Sequence, residues 1–452
     1  MAVVIAAITI LSLATSALPL VWGGAEDTEA LQLAPLNPDF VAYWENPPEE
    51  FYGYIPPPVD LSHLDQLPVK GALTPEAALP SKFDWRDYGK VTPVKNQNPC
   101  GTCWDFGTTS VLESAVLLGE NVAYDFSEQS VALCVDRSWV YLYDGAGPWG
   151  PQPEPCDAGG WSWLASEVFI RKGSVLESCN PYNTSALNCD GTCVCDDCSP
   201  IKKVDGYRLV TNYGSDITTI KNAVYYKGPV TVAYRHSSSY EYWDEMWGPI
   251  YDYYPCNIFA NHLISIVGWN DDVPTPNSPG DGAWIVKNSW GTSDSWAGGA
   301  GVSDGYFYLA YGSSSTTEIA YLLYKDPVPC EKLLYWDEAG LVSSAGYGDN
   351  SSWIASVFTA AQPGDLTHID FWTTSNNAQY EIYVWNGFFG TQLAKQTGSC
   401  QEYGYYSIPL SAPISLGAGQ QFTVGVKMIT PGYNYPIPIE YKYGTDVDPP
   451  IQ

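Results

Sequence analysis

Two cysteines stand three residues apart in "NQNPCGTCWDFG" (96–107), directly ahead of an aromatic residue, in a chain of 452 residues that holds only four histidines. Four chemistries fit such a pair: a disulfide staple, part of a metal clip, a redox couple, or one bridged cysteine beside a reactive one. A reactive cysteine needs a base to take its proton, a group to orient that base, and donors aimed at the oxygen that becomes negative during attack. Cys103 suits the nucleophile's part. From Cys103 to Leu118 the residues Trp104, Gly107, Thr108, Val111, Leu112, Ala115 and Leu118 recur at helical spacing and Gly119 reads as a stop, so the sulfur falls at a helix start, where free N–H groups and the dipole favour a thiolate. Cys100, in the loop before it, has no such advantage and is the natural bridged partner. Of the histidines, His63 lies in a Pro-rich stretch, His368 near the C-terminus and His236 at a strand end. His262 heads an apolar strand after Asn261 and is the base by elimination.

The elements that must position these residues change character along the chain. Ser127 is placed to cap a short helix in "FSEQSVALC" (126–134). Beyond residue 205 the pattern turns to strands: "GPVTVAYR" (228–235), "NHLISIVGWN" (261–270), "GAWIVKNSW" (282–290) and "DGYFYLAYG" (304–312). After Lys325 alternation continues, with Tyr380, Ile382 and Val384 on one face of "QYEIYVW" and Phe422, Val424, Val426 and Met428 on one face of "QFTVGVKM", which reads as a β-sandwich. Residues 26–78 are rich in Pro and acidic side chains and show no helical or strand period. They read as an extended pro-segment or strap, with residues 40–65 expected to lie across a cleft. The opening apolar run with Gly-Gly-Ala at 23–25 reads as a signal peptide over residues 1–25; because no Lys or Arg precedes it, a retained N-terminal anchor is the alternative.

Asp and Glu outnumber Lys and Arg by 50 to 20, a formal net charge of −30, so phosphate backbones and anionic membranes would repel this surface and nucleic acid is excluded as a partner. Twelve cysteines fit an oxidising, extracellular compartment. Setting one aside as a reagent leaves an odd number, so at least one more is free or bonded to something else. "CDGTCVCDDC" (189–198) has the crowding of a metal clip, but its acidic neighbours favour disulfides. The acidic loop 270–282 does not have EF-hand spacing and reads as a solvated turn. Asn183 and Asn350 head glycosylation sequons.

"FDWRDYGKVTPVKNQNPCGTCWDF", "CDAGGW", "NHLISIVGW" and "WIVKNSWG" resemble, in order, the landmark segments of papain-like cysteine peptidases, over residues 79–325. The resemblance implies an α+β, two-lobed fold with a helical lobe and a β-barrel-like lobe. It implies Cys103 as nucleophile, His262 as general base and acid, Asn288 orienting the imidazole, Gln97 forming the oxyanion hole with the Cys103 N–H, and Trp290 shielding the His–Asn bond. It further implies that Gly159 and Gly160 line up a substrate strand, that Cys100 bridges Cys156 and Cys134 bridges Cys189, and that no cofactor or metal is needed. Trp161, Trp163 and Leu263 would wall the main specificity pocket, whose base falls in the unmatched "GSSSTT" region. Asp105 departs from the family pattern. On a helix it would point away from Cys103, yet its charge should oppose thiolate formation and leave Cys103 less acidic than the family norm. Residues 328–452 resemble the lectin-like β domain that follows the peptidase in some archaeal and bacterial secreted proteins.

The expectation is thus a secreted or surface-held endopeptidase acting on protein or peptide substrates, with an all-β sandwich whose exposed aromatics would stack on a cell-surface glycan. A non-cleaving adhesin and an acyl transferase on the same fold are the competing readings.

Overall fold

The computed structural model describes residues 2–7, 30–46, 48, 50–69, 78–135, 156, 158–185, 187, 198–214, 216–292, 295–296, 301–302, 304–336 and 339–440. Most of the apolar leader therefore lies outside the described residues, as do Cys189, Cys193 and Cys195 of the proposed clip. Residues 2–7 form a strand parallel to both Lys332–Leu334 and Gly364–Trp372. Among the described residues no helix is long and apolar enough to cross a membrane.

The first lobe is helical. Helix α2 (Cys103–Glu120) is buried on nearly all sides, and α3 (Glu128–Cys134) and α4 (Ser162–Arg171) pack against it. Ser127 caps α3 by accepting the Ser130 N–H, as its position suggests. Gly119 does not stop α2. The helix runs on to Glu120, and Asn121 ends it in the left-handed conformation (φ 57°), a place where Asn tolerates what other side chains avoid. Gly107 has a different use: a Cβ there would lie 2.4 Å from Leu263 Cδ2 and 3.3 Å from the Ile264 Cα, so its bare backbone lets α2 close on the strand that carries His262.

The second lobe is strand-rich, its strands divided between two sheets. Strands β1 (Lys203–Thr211), β2 (Val230–Tyr234), β3 (His262–Asn270), β4 (Ala283–Lys287), β5 (Tyr306–Ala310) and β6 (Ile319–Lys325) follow in chain order, with α5 (Ile217–Lys227) between β1 and β2. β3 is antiparallel to both β2 and β4, and every residue of β3 is buried. The fully apolar runs seen in the sequence are thus central strands covered on both faces.

The third unit is a sandwich. β7 (Ser351–Thr359), β12 (Gln421–Ile429), β9 (Ala378–Asn386) and β10 (Gln392–Cys400) form one antiparallel sheet in that order, facing β8 (Gly364–Trp372) and β11 (Gly404–Leu416). The alternating residues Ile382, Val384, Phe422, Val424, Val426 and Met428 are all fully buried between them. The sandwich is joined to the second lobe through a continuous sheet, because β1 pairs with β6 on one side and with β11 on the other (Tyr405 opposite Tyr207). Trp372 of β8 packs on Tyr207 (5.5 Å) and donates its indole N–H to Glu167 of α4 (2.8 Å), while Trp163 of α4 donates to the Leu341 carbonyl (2.9 Å). Trp163 therefore faces this joint rather than an open cleft.

Residues 30–69 are not wholly extended. Asn37 caps a two-turn helix, α1 (Pro38–Glu45), with proline at its first position, and Phe40 and Tyr43 are buried. Two turns starting at a proline leave no readable period, and tertiary burial holds what propensity alone would not. The sandwich grips this segment at both ends. Gln32–Leu33 adds a strand to Ser343–Gly346, His63 stacks on Tyr433 (3.6 Å) and donates to the Thr374 carbonyl, and Asn376 and Asn377 donate to the Leu67 and Pro68 carbonyls.

Since one sheet and one aromatic cluster span the joint, the second lobe and the sandwich should unfold together. Trp372→Ala should cost about 3–5 kcal/mol and lower a single calorimetric transition; two separate transitions in the unsubstituted chain would contradict a shared core.

Candidate functional site

Cys103 opens α2 with its thiol free and fully buried. Thr102 stands at the N-cap but does not cap; its hydroxyl is paired with Tyr182 (2.9 Å). The N–H groups of Cys103 and Trp104 thus point at the sulfur, and the Leu263 N–H, from the residue after His262 on β3, donates to it at 3.3 Å. Cys100 is bridged to Cys156, which removes the redox-couple reading for the pair. Cys134 is also bridged, to a partner outside the described residues, and Cys179 pairs with Cys198. Cys256, Cys330 and Cys400 are free.

His262 is held on three sides. Its Nε2 is 2.9 Å from Asn288 Oδ1, which also accepts the Ser289 N–H at 2.8 Å. Because that oxygen can only accept, the imidazole proton sits on Nε2 and the Nδ1 lone pair is free; Nδ1 is buried and finds no hydrogen-bond partner among the described residues. Trp290 stacks on the ring at 4.7 Å and 19°. Gln97 is aimed by Ser289, whose hydroxyl donates to Gln97 Oε1 at 2.6 Å; the amide then donates to the Cys100 carbonyl and to the Tyr52 carbonyl, both at 2.8 Å.

The Tyr52 contact belongs to a segment that fills the groove. Residues 50–55 run between the lobes: Gly160 donates to the Gly53 carbonyl (2.9 Å), Ile55 donates to the Gly160 carbonyl (3.0 Å), and Asn261 donates to the Glu50 carbonyl (3.1 Å). The Tyr52 ring lies 5.4 Å from His262, 5.2 Å from Trp290 and 5.0 Å from His236. Gly53 (φ +118°) passes so close to the Gly101 backbone that a Cβ would lie 2.3 Å from it. Gly159 and Gly160 thus line an extended strand, though here the strand is the chain's own.

Covering the groove sets its ionisation. Burial pushes the Cys103 thiol up, with the Glu318 charge adding to it and the donated N–H groups opposing it; burial drives the His262 imidazole down to about 3. Both groups are neutral in this state. His236, passed over in the sequence, is buried beside them, with Nδ1 2.9 Å from the Tyr234 hydroxyl and Nε2 3.0 Å from Glu241; burial lowers it to about 3 as well. Its signal was only a strand end, which does not distinguish it from a surface histidine.

Beneath α2 a buried ionic group ties the lobes: Lys95 meets Glu113 (2.8 Å) and Glu128 (2.9 Å), and Lys287 of β4 donates to Thr92, which donates to Glu113. Asp105 belongs to this region and corrects the sequence reading. It is fully buried, its Oδ1 accepts from Thr109 (3.1 Å), and burial together with the neighbouring Glu128 raises its pKa well above the carboxylate range. A neutral Asp105 exerts no charge on the thiol. Carboxylates of the 270–282 loop are engaged within the protein, Asp271 by Lys221 and Tyr311 and Asp281 by the Thr275 N–H.

Residues 79–325 match the sequence profile of the papain family of cysteine proteases, and residues 333–447 match that of a lectin-like domain. The chain is 32% identical to fruit bromelain of Ananas comosus over 244 residues, 54% of this chain and 58% of that protein. It is 34% identical to a cathepsin L-like proteinase of Fasciola hepatica over 216 residues, 48% of this chain and 57% of that protein. It thus spans less than two thirds of both of these relatives. The crystal structure of the cysteine protease and lectin-like domains of Cwp84, a surface layer associated protein of Clostridium difficile, superposes with a TM-score of 0.70 at 25% identity, covering 94% of this chain and 90% of that one.

With Asp105 already protonated, Asp105→Asn should leave the pH profile of Cys103 alkylation unchanged within about twofold once the groove is opened; faster alkylation in the variant would mean that the carboxyl is charged.

Proposed function

The chain belongs to the papain family of cysteine proteases, and we propose that it hydrolyses peptide bonds through an acyl-enzyme on Cys103. The observation that carries this reading is the Leu263 N–H, next to His262 on β3, donated to the Cys103 sulfur at the start of α2, together with an imidazole whose Asn288 bond leaves Nδ1 able to take a proton and a Gln97 amide already holding a carbonyl oxygen. In the proposed reaction the Cys103 proton passes to His262 Nδ1 and the sulfur attacks the substrate carbonyl carbon. Gln97 Nε2 and the Cys103 N–H bind the oxyanion, and His262 returns the proton to the departing amine. Water, deprotonated by His262, then releases the acid and frees the sulfur. Asn288 and Trp290 act as positioning residues through the imidazole.

In the form described, residues 50–55 serve as an inhibitory strap. Tyr52 puts its carbonyl where the oxyanion would sit, and the dry groove keeps sulfur and imidazole uncharged, so the strap blocks both access and ionisation. Cutting the chain between the strap and residue 78 would open the site. The disulfides and apolar leader support secretion, and the lectin-like sandwich, a unit that the surface layer associated protein Cwp84 also carries, would hold this enzyme at a cell surface through glycan.

An epoxide or vinyl-sulfone probe should label Cys103 alone, slowly in the intact chain and rapidly after strap removal, and Cys103→Ala should lower hydrolysis by about 10⁴-fold or more. Labelling at Cys256 or Cys330 would overturn the assignment. Gly53→Ala should loosen the strap by about 1–3 kcal/mol and speed labelling of the uncut chain; an unchanged rate would show that the strap does not govern access.

A further inference from the structure

The two donors assigned to the oxyanion stand at opposite ends of one loop, the Gln97 amide at its start and the Cys103 N–H just past its end. Both must reach the same oxygen, so the distance between the two ends matters, and an irregular loop does not fix that distance by itself. Ser289 holds the first end from the second lobe, through its hydroxyl on Gln97 Oε1 and through its carbonyl, which accepts the Gln97 N–H at 2.8 Å. The two ends are tied to each other by Tyr182. Its hydroxyl donates to the Gln97 carbonyl at 2.9 Å and lies 2.9 Å from Oγ1 of Thr102, the residue directly before Cys103. A phenol has one proton to give, so with that proton on the Gln97 carbonyl it is Thr102 that donates in the second bond. The Thr102 hydroxyl is thereby committed to Tyr182 and makes no cap on α2, which leaves the first N–H groups of the helix to the sulfur. Tyr182 is fixed from outside the loop. Glu177 accepts its N–H at 2.7 Å, its ring meets Phe106 edge-on (4.9 Å, 88°) and packs on the Cys100–Cys156 bridge and Leu187, and its neighbours Asn180 and Asn183 are bonded to Ser130 and Gln129 of α3. Burial holds the phenol above its ordinary range, so it stays a donor.

We infer that Tyr182 is a positioning residue for the oxyanion site: by bonding both ends of the loop 97–102 it sets the distance between the Gln97 amide and the Cys103 N–H. This rests on the peptidase reading above and adds a residue to that same site. Without the phenol oxygen, the Gln97 carbonyl keeps only the Cys100 N–H (3.0 Å), and the Thr102 hydroxyl is released to turn toward the first turn of α2, as a threonine at that position commonly does. The first change spoils the fit to an oxygen that becomes charged only in the transition state, so it acts on turnover and not on substrate binding. The second draws N–H groups away from the sulfur and makes its thiolate harder to form.

The test uses the full chain after its strap has been cut and removed, with a peptide substrate. Tyr182→Phe keeps the ring and removes one oxygen. It should lower kcat by about 10- to 100-fold, leave KM within about twofold, and move the absorbance of the Cys103 thiolate to higher pH. Thr102→Val breaks the second bond from the other side and cannot take a helix N–H, so it should lower kcat at constant KM without moving the thiolate. The double variant should lose no more than Tyr182→Phe alone, because the two hydroxyls act as a unit. The Thr102→Val measurement decides the matter even where Tyr182→Phe fails to fold. An unchanged kcat in either variant, a loss carried by KM, or losses that add in the double variant would overturn the inference and leave the peptidase reading standing. No hydrolysis by the strap-free parent chain would overturn both.

Discussion

The Leu263 N–H donated to Cys103 Sγ fixes the seam on which everything else depends. It sets the first turn of α2, from one lobe, against the first residues of β3, from the other, and it comes from the residue next to the imidazole. That approach is possible only because Gly107, one turn along α2, removes the side chain that would strike Leu263 and Ile264. The buried Lys95, Glu113 and Lys287 group reinforces the same seam from below with fixed charges, so the two lobes have one way of meeting. The sulfur is held in register with His262 by backbone, while Asn288 and Trp290 fix the tautomer and tilt of the ring.

The strap shows how much the chemistry of the seam depends on water. On the proposed reading, the silent and reactive states differ in what surrounds Cys103 and His262. What changes is whether solvent can support opposite charges on sulfur and imidazole, and the half-buried Tyr52, with its ring beside His262 and its carbonyl on Gln97, denies it that. The sandwich supports this closed state from a distance. It holds the strap on either side of the groove, at Gln32–Leu33 and at residues 63–68, and through Tyr207 and Trp372 it also stands behind Ser162 at the start of α4. A unit whose exposed aromatics suggest a binding role is thereby also part of the framework of the groove.

Cys103, Cys100 and His262 were legible from the residues themselves, at a helix start, in the loop before it and at the head of a central apolar strand, whereas Gln97 and Asn288 were assigned only through the resemblance of their segments to papain-like peptidases. The strands of the second lobe and the sandwich were also legible directly, since period two is local. What escaped reading depends on contacts far apart in the chain. Helix α1 is ordered by packing of Phe40 and Tyr43, and the place of Tyr182 appears only when residue 182 meets residues 97 and 102. Asp105 was read with the wrong charge because a sequence shows the residue type but not the burial that neutralises it. Gly119 looked like a helix stop, while the stop was made two residues later by Asn121.

The central claim is that the strap silences the site by keeping sulfur and imidazole neutral, and ultraviolet absorbance of the Cys103 thiolate, taken as a difference from Cys103→Ser, reads this directly. The account predicts no thiolate through the neutral range in the intact chain. After the strap is cut, it predicts a thiolate that forms well below the ordinary range of a free thiol. The same titration in both forms, or an intact chain already carrying the thiolate at neutral pH, would contradict it.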